Sequence, residues 1–189
     1  GDADLDLAVA NYNSDNVSVL PGNGDGTFQA AVNYAAGDGP QSLGLGDLDG
    51  DTDLDLVVAN YNSDNVSVLL GNGGGTFQAA VNYTAGNGPW SVAVGKLDAD
   101  AGLDLAVANN LGDNVSVLLG NGDGTFQAAV NYAAGDGPRE IAIGRLDGDA
   151  DLDLAVANYN SDNVSLLLGN GNGTFQAAVN YGAGDGAGS

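Results

Sequence analysis

Three observations predict an all-β array of four stacked sheets. First, a Leu-Asp-Leu triplet centres on Asp6, Asp55, Asp104 and Asp153, and a Thr-Phe-Gln-Ala-Ala block on Phe28, Phe77, Phe126 and Phe175, both spaced by 49 residues. A period of that size belongs to propellers and solenoids, in which each unit buries its faces only against its neighbours. Second, short β-branched and aromatic runs alternate with Gly/Asn/Asp/Ser clusters, the pattern of hairpin-linked strands. Third, no stretch carries a helical period. The predicted fold is therefore a β-propeller, or a propeller segment, of four-stranded antiparallel blades. A partial repeat 1 covers 1–39, and repeats 2, 3 and 4 cover 40–88, 89–137 and 138–186, as one array.

Repeat 2 shows the expected elements most clearly. Pro40 opens a first strand through Ser42 to Gly46, with Leu43 and Leu45 on one face and glycines on the other. The second strand runs through Leu54, Leu56 and Val58, its opposite face carrying Val57 and Ala59. Asn60 to Asn65 (NYNSDN) is a turn, because Asn, Asp and Ser accept local backbone bonds and left-handed angles. A third strand, Val66 to Leu70, leads through a Gly/Asn hairpin turn at Gly71 to Gly75. A fourth is expected over Thr76 to Tyr83, with Phe77, Ala79, Val81 and Tyr83 sharing a face.

Repeat 1 begins past the place of its first strand, so the first blade is predicted to lack it. The chain is expected to be a piece of a larger ring or an incomplete four-blade ring. An open first blade presents an unpaired edge that invites self-association.

Between the first and second strands of repeat 2 lies DLDGDTDLD, with Asp47, Asp49, Asp51, Asp53 and Asp55 at alternate positions. Carboxylates gathered this closely repel one another unless a hard cation sits among them. Ca²⁺ suits an irregular loop, since it takes about six to eight oxygen ligands in flexible geometry. An EF-hand is excluded, because Val58 stands where the bidentate glutamate would be and strands flank the loop.

The net charge is −22, and 15 of the 25 acidic residues lie in four such loops, so the charge is localised rather than spread as a tail. That field repels phosphate backbones and argues against nucleic acid. No apolar run is long enough to insert in a membrane as a helix. Without His or Cys, the usual nucleophilic triads and metal-His sites are excluded, and no enzymatic activity is expected. Asn16, Asn65, Asn114 and Asn163 begin Asn-Val-Ser sequons, read as turn and strand-start residues.

The residues Thr76-Phe77, Gly86 to Pro89 (GNGP), Leu45 to Asp55 and their copies resemble the FG-GAP/VCBS-type repeats of bacterial surface proteins, related to the propeller head of integrin α subunits. The resemblance covers essentially the whole chain. It implies a ring of about seven blades, Ca²⁺ in each loop between first and second strands, and partner binding on the opposite face. Carried over by position, Asp47, Asp49, Asp51 and Asp55 match side-chain ligands, with Asp53 at a backbone-carbonyl position. Thr52 replaces a glycine, so strain is expected there. The third loop keeps Asp98, Asp100, Gly102 and Asp104 with Lys96 in the first ligand position. The fourth keeps Asp147, Asp149, Asp151 and Asp153 with Arg145 there, and the first keeps only Asp2, Asp4 and Asp6. Lys96 and Arg145 are expected to weaken their loops by placing a fixed cation in the cage; the alternative is that they point outward.

On the opposite face the repeats diverge most: Gln41, Trp90 and Arg139 follow the prolines, and Tyr12, Tyr61 and Tyr159 sit in the turns. Trp90, Arg139 and the three tyrosines are candidate ligand-binding residues, with Trp90 equally readable as a cover for a blade edge. The expected function is a calcium-binding, non-enzymatic adhesion module of a secreted or cell-surface protein, taking a protein or glycan ligand. The alternatives are a lectin with repeated sugar pockets and a scaffold beside a catalytic domain.

Overall fold

The computed structural model describes residues 4–187. Among them there are fifteen strands and no helix. They form four antiparallel meanders, each a sheet in chain order. Blade 1 has three strands, β1 (Leu7–Asn11), β2 (Asn16–Leu20) and β3 (Val32–Ala35). Blade 2 has four, β4 (Pro40–Gly46), β5 (Asp55–Asn60), β6 (Asn65–Leu69) and β7 (Val81–Thr84). Blade 3 repeats this with β8 (Pro89–Gly95), β9 (Asp104–Asn109), β10 (Asn114–Leu118) and β11 (Val130–Ala133). Blade 4 does so with β12 (Pro138–Gly144), β13 (Asp153–Asn158), β14 (Asn163–Leu167) and β15 (Val179–Gly182). The predicted all-β, propeller-like architecture, with its three-stranded first sheet, is the one observed.

The core lies between blades rather than within one. Alternation sends successive side chains of a strand to opposite faces, so β5 buries Leu56 and Val58 against Val17 and Val19 of blade 1. The same strand buries Val57 and Ala59 against Leu105, Val107 and Leu118 of blade 3. Blades 3 and 4 meet the same way, Val115 and Val117 against Leu154, Val156 and Leu167. The second strands β5 and β9 thus bury apolar side chains on both faces.

The innermost strands lie side by side, β4 beside β8 and β8 beside β12. The glycines of β4 permit that approach: a Cβ on Gly44 would stand 2.8 Å from a Val94 methyl, and one on Gly46 2.8 Å from Leu103.

The fourth strand corrects the sequence reading. Pairing over Thr76 to Tyr83 is not continuous: Phe77 makes an isolated bridge to Gly71, and regular pairing begins only at Val81. Phe77 lies opposite Gly71 but Val81 opposite Val68, four residues along one strand against three along the other. That one extra residue behaves as a bulge and exchanges the faces. Phe77 consequently turns to Tyr34 of blade 1, while Tyr83 turns to Phe126 of blade 3. The two aromatics expected on one face serve opposite interfaces.

Candidate metal centre and the opposite face

The Asp-rich loops connect the end of each first strand to the start of the second. In blade 2 the loop folds around its own carboxylates. Asp47 accepts from the backbone N–H of Gly50 (2.8 Å) and Thr52 (3.1 Å), Asp49 from Asp51 (3.2 Å), and Asp51 from Asp53 (2.8 Å). Thr52 is left-handed at φ 77°, a strained angle for a β-branched residue, as its replacement of glycine leads one to expect. Its counterparts Ala101 and Ala150 stay out of that region.

These bonds bring Asp47, Asp49 and Asp55 together, each offering a carboxylate oxygen within 4.8 Å of the others. Asp47 and Asp49 are half-buried and Asp55 is buried. Among the described residues no other loop brings three such groups this close. Asp51 remains exposed outside the trio. The Asp53 side chain lies against the Gly71 to Gly75 turn, where a Cβ on Gly73 would approach its carboxylate to 2.8 Å.

The last aspartate of each loop has a role the alternate-Asp pattern did not reveal. Asp55 accepts from Leu48 N–H and Gly71 N–H, both at 2.7 Å, tying the loop to the neighbouring hairpin. Asp104 does the same for Leu97 (2.7 Å) and Gly120 (2.8 Å), and Asp153 for Leu146 (2.7 Å) and Gly169 (2.9 Å). Asp6, with no first strand beside it, is exposed and takes Gly22 N–H at 2.8 Å. Burial raises the Asp55 and Asp104 carboxyls above the ordinary range, partly offset by these amide bonds. Nearby Asp49 and Asp51 add to the rise at Asp55, and Asp98 to that at Asp104.

In blade 4, Arg145 Nε donates to the carbonyl of Ala150 at 3.0 Å, so its guanidinium folds over its own loop. Where Asp47 receives a backbone N–H from position 52, Arg145 takes a carbonyl from the equivalent position 150. Asp147 and Asp149 each accept the amide two residues on. Asp151 packs against Gly171 as Asp53 does against Gly73, and Asp4 against Gly24. In blade 3, Asp98 and Asp100 accept from the amides of Asp100 and Gly102, and Gly102 is buried. Asp2 lies outside the described residues.

The opposite face is assembled from the fourth-to-first connections and the second-to-third turns, which bond to each other. Tyr61 N–H donates to Gly39 carbonyl at 2.9 Å, and Tyr159 N–H to Gly137 carbonyl at 2.9 Å. Here Tyr61 meets Trp90 edge to face (5.5 Å between centroids), and the Arg139 guanidinium lies 4.9 Å from the Trp90 ring and 3.5 Å from the Tyr159 ring. Four of the five residues singled out on this face thus form one continuous stack. Tyr12 stands apart, its hydroxyl donating to Asn62 at 3.3 Å. Trp90 is half-buried, in contact with Tyr61 and Arg139.

A polar network missed by sequence reading lies beneath that face. Asn60 Nδ2 donates to Asn65 Oδ1 (2.7 Å) and Ser67 Oγ (2.8 Å), Ser67 donates to Asn82 (2.7 Å), and Gly37 N–H reaches Ser67 Oγ across the blade gap (3.0 Å). Asn109 and Asn158 repeat it. The Asn at the end of each second strand therefore fastens a strand pair, where the sequence suggested only a turn. Its signal was the constant spacing to the following Asn and Ser in every repeat. The sequon residues Asn65, Asn114 and Asn163 are acceptors in the same network.

Around the rim, the faces exchanged by the bulge leave repeated grooves. One of about 400 Å³ between blades 1 and 2 is lined by Asn33, Tyr34, Phe77, Gln78 and Asn82 among others. Its copy between blades 2 and 3, about 470 Å³, is lined by Asn82, Tyr83, Phe126, Gln127 and Asn131.

Solved structures share this architecture. An Agrocybe aegerita lectin structure, described as the basis of specific recognition of non-reducing terminal N-acetylglucosamine, is 23% identical with a TM-score of 0.61, covering 92% of this chain and 48% of that one. BBS1N in complex with ARL6DN is 16% identical with a TM-score of 0.66, covering 97% and 54%. A protein from Lactobacillus plantarum is 20% identical with a TM-score of 0.61, covering 96% and 55%. The chain spans about half the length of these structures, and at such identities the likeness is one of fold. No curated protein matches the chain. The model of the FG-GAP-like repeat matches three times, over residues 1–58, 47–107 and 97–156. The repeats matched in series across most of the sequence show that the chain belongs to the FG-GAP-like repeat family.

Proposed function

We propose that the chain is a calcium-stabilised, non-enzymatic binding module of a secreted or surface protein, taking its ligand on the face opposite the Asp loops. The observation that carries this reading is the convergence of Asp47, Asp49 and Asp55 within 4.8 Å. Three carboxylates this close repel one another, by about 3.5 kcal/mol or more per pair at an effective dielectric near 20 before solvent screening. Their all-oxygen donor set suits a hard cation such as Ca²⁺ better than a soft metal. Asp47, Asp49 and Asp55 would hold it, with Asp51 and the Asp53 backbone close at hand. The ion would neutralise the cluster and pin the loop between β4 and β5. Lys96 and Arg145 make the other loops weaker sites. The stack of Tyr61, Trp90, Arg139 and Tyr159, half-buried except for the exposed Tyr159, supports ligand docking on the far face, since aromatic and Arg side chains are the usual binding anchors. The typical setting of FG-GAP repeats supports an extracellular location.

Calorimetric titration with Ca²⁺ tests the metal reading. Asp49→Ala should abolish the tightest binding event, while Asp98→Ala should leave it within twofold of wild type. Equal losses, or no binding by the wild type, would defeat it.

A glycan-binding reading is favoured by the rim grooves, where a Tyr and a Phe offer apolar surface and Asn and Gln offer hydrogen bonds, the mixture a sugar ring needs. A glycan array should then show hits that Gln78→Ala weakens. An array blank at high protein concentration removes this reading and leaves the protein-binding one.

A further inference from the structure

We propose that Asn72 is a spontaneous modification site, losing its side-chain amide to water while the fold protects the other Asn-Gly pairs of the chain. The main-chain nitrogen that follows an Asn can attack the side-chain amide carbon of that Asn, and a glycine, having no Cβ, shields its nitrogen least. At Asn72 the nitrogen of Gly73 gives up its proton to hydroxide and bonds to Cγ. The Cγ–Nδ2 bond breaks, ammonia leaves, and a cyclic imide remains. Water then opens the ring at one carbonyl or the other, giving an aspartate or an isoaspartate joined through its side chain. No electron is transferred, and each event adds one negative charge. The chain holds six Asn-Gly pairs, beginning at Asn23, Asn72, Asn87, Asn121, Asn170 and Asn172.

Five of the six are restrained. In the hairpin turns of blades 1, 3 and 4, Nδ2 of Asn23, Asn121 and Asn170 donates to Oγ1 of Thr27 (2.9 Å), Thr125 (2.7 Å) and Thr174 (2.9 Å). Each threonine is fixed in turn, its amide and hydroxyl both donating to Asp25, Asp123 or Asn172. Asn172 is thereby pinned through its own Oδ1, and the Gly173 nitrogen is occupied by the carbonyl of Leu97 at 3.0 Å. Asn87 is protected at the attacking atom, since Gly88 N–H donates to Asp64 at 2.8 Å. Blade 2 has Gly74 where the other turns carry Asp25, Asp123 and Asn172, so Thr76 lacks that acceptor. Its hydroxyl donates instead to the Gly73 carbonyl at 3.3 Å. Among the described residues the Asn72 carboxamide has no hydrogen-bond partner, and the Gly73 nitrogen donates to none. Gly73, Gly74 and Gly75 follow one another at φ 74°, 67° and 73°, conformations that glycine leaves at little cost. Asn72 is exposed, and so are Asn23, Asn121 and Asn170, so bonding rather than access to water separates them. Position 72 lies between the Gly71 amide that Asp55 holds and Gly73, which packs on the Asp53 carboxylate. An isoaspartate there lengthens the main chain between those two anchors.

Incubation of the protein at mildly alkaline pH, followed by peptide mapping with mass spectrometry and an isoaspartate assay, reads the six sites separately. Asn72 should react at least about fivefold faster than any other pair, the factor to which one hydrogen bond of about 1 kcal/mol corresponds. In protein unfolded by urea the six rates should draw together, because the protection belongs to the fold. Asp123→Gly gives blade 3 the glycine-rich turn of blade 2 and should raise Asn121 to the Asn72 rate, while Gly74→Asp should slow Asn72. Both positions are exposed in their turns, so neither variant disturbs the core. Faster reaction at another pair, a lead of Asn72 that persists undiminished in urea, or an Asn121 rate unmoved by Asp123→Gly would each overturn the proposal.

Discussion

Stripping the protein with EDTA should lower its Tm by about 5–10 °C relative to excess Ca²⁺. An ion that binds only the folded state adds about 2.7 kcal/mol when present at a hundred times its Kd. For a chain of this length, one kcal/mol moves Tm by about 2–4 °C. Differential scanning calorimetry with and without the chelator measures the shift directly, and Asp49→Ala should abolish it. The pH dependence of the two forms should be opposite in sign. In the metal-free protein Asp55 and Asp104 sit above their ordinary carboxyl range. The folded chain then binds protons more readily than the unfolded one, and stability is lost as pH rises from the ordinary value through the raised ones. In the loaded protein the ligands must stay ionised, so stability is lost as pH falls. The EDTA effect should therefore shrink on acidification. Curves that coincide at neutral pH would remove the ion from the account.

Much of this was legible because the 49-residue period writes each structural solution several times over. The blade count, the open first blade and the Asp loops all follow from residues that recur in register. What escaped was whatever alternation alone cannot encode. The extra residue between Phe77 and Val81 has no composition signal, yet it sends Phe77 and Tyr83 to different neighbours. Five aspartates at alternate positions look equivalent in a string, whereas in space Asp55 is buried between two amides, Asp53 leans on a hairpin turn and Asp51 remains in solvent. A clue existed, since Asp55 alone stands between two leucines at the head of a buried strand. The Arg139 stack was likewise out of reach, because it joins Trp90, from the start of β8, to Tyr159, from a turn in the next blade.

Asp104→Ala should destabilise the fold by about 2–6 kcal/mol. It leaves the buried N–H groups of Leu97 and Gly120 without their acceptors, at about 1–3 kcal/mol each. Blade 3 is the place to measure this, because Lys96 stands there where blade 2 has Asp47, so loss of the brace is not confounded with loss of the candidate cation site. Asp104→Asn should cost less, since its amide oxygen still serves one of the two donors while its NH₂ faces the other. Position in the array then sets the size of the effect. Asp98→Ala, which removes a half-buried carboxylate holding only the exposed amide of Asp100, should cost no more than about 1 kcal/mol. Asp6→Ala should fall near the low end of the brace values, because Asp6 is exposed and takes the single amide of Gly22. Urea denaturation in EDTA separates these cases. Equal midpoints for Asp104→Ala and Asp98→Ala would mean that the repeated carboxylate does not fasten the hairpin to its loop, and that blade-to-blade packing alone fixes the architecture.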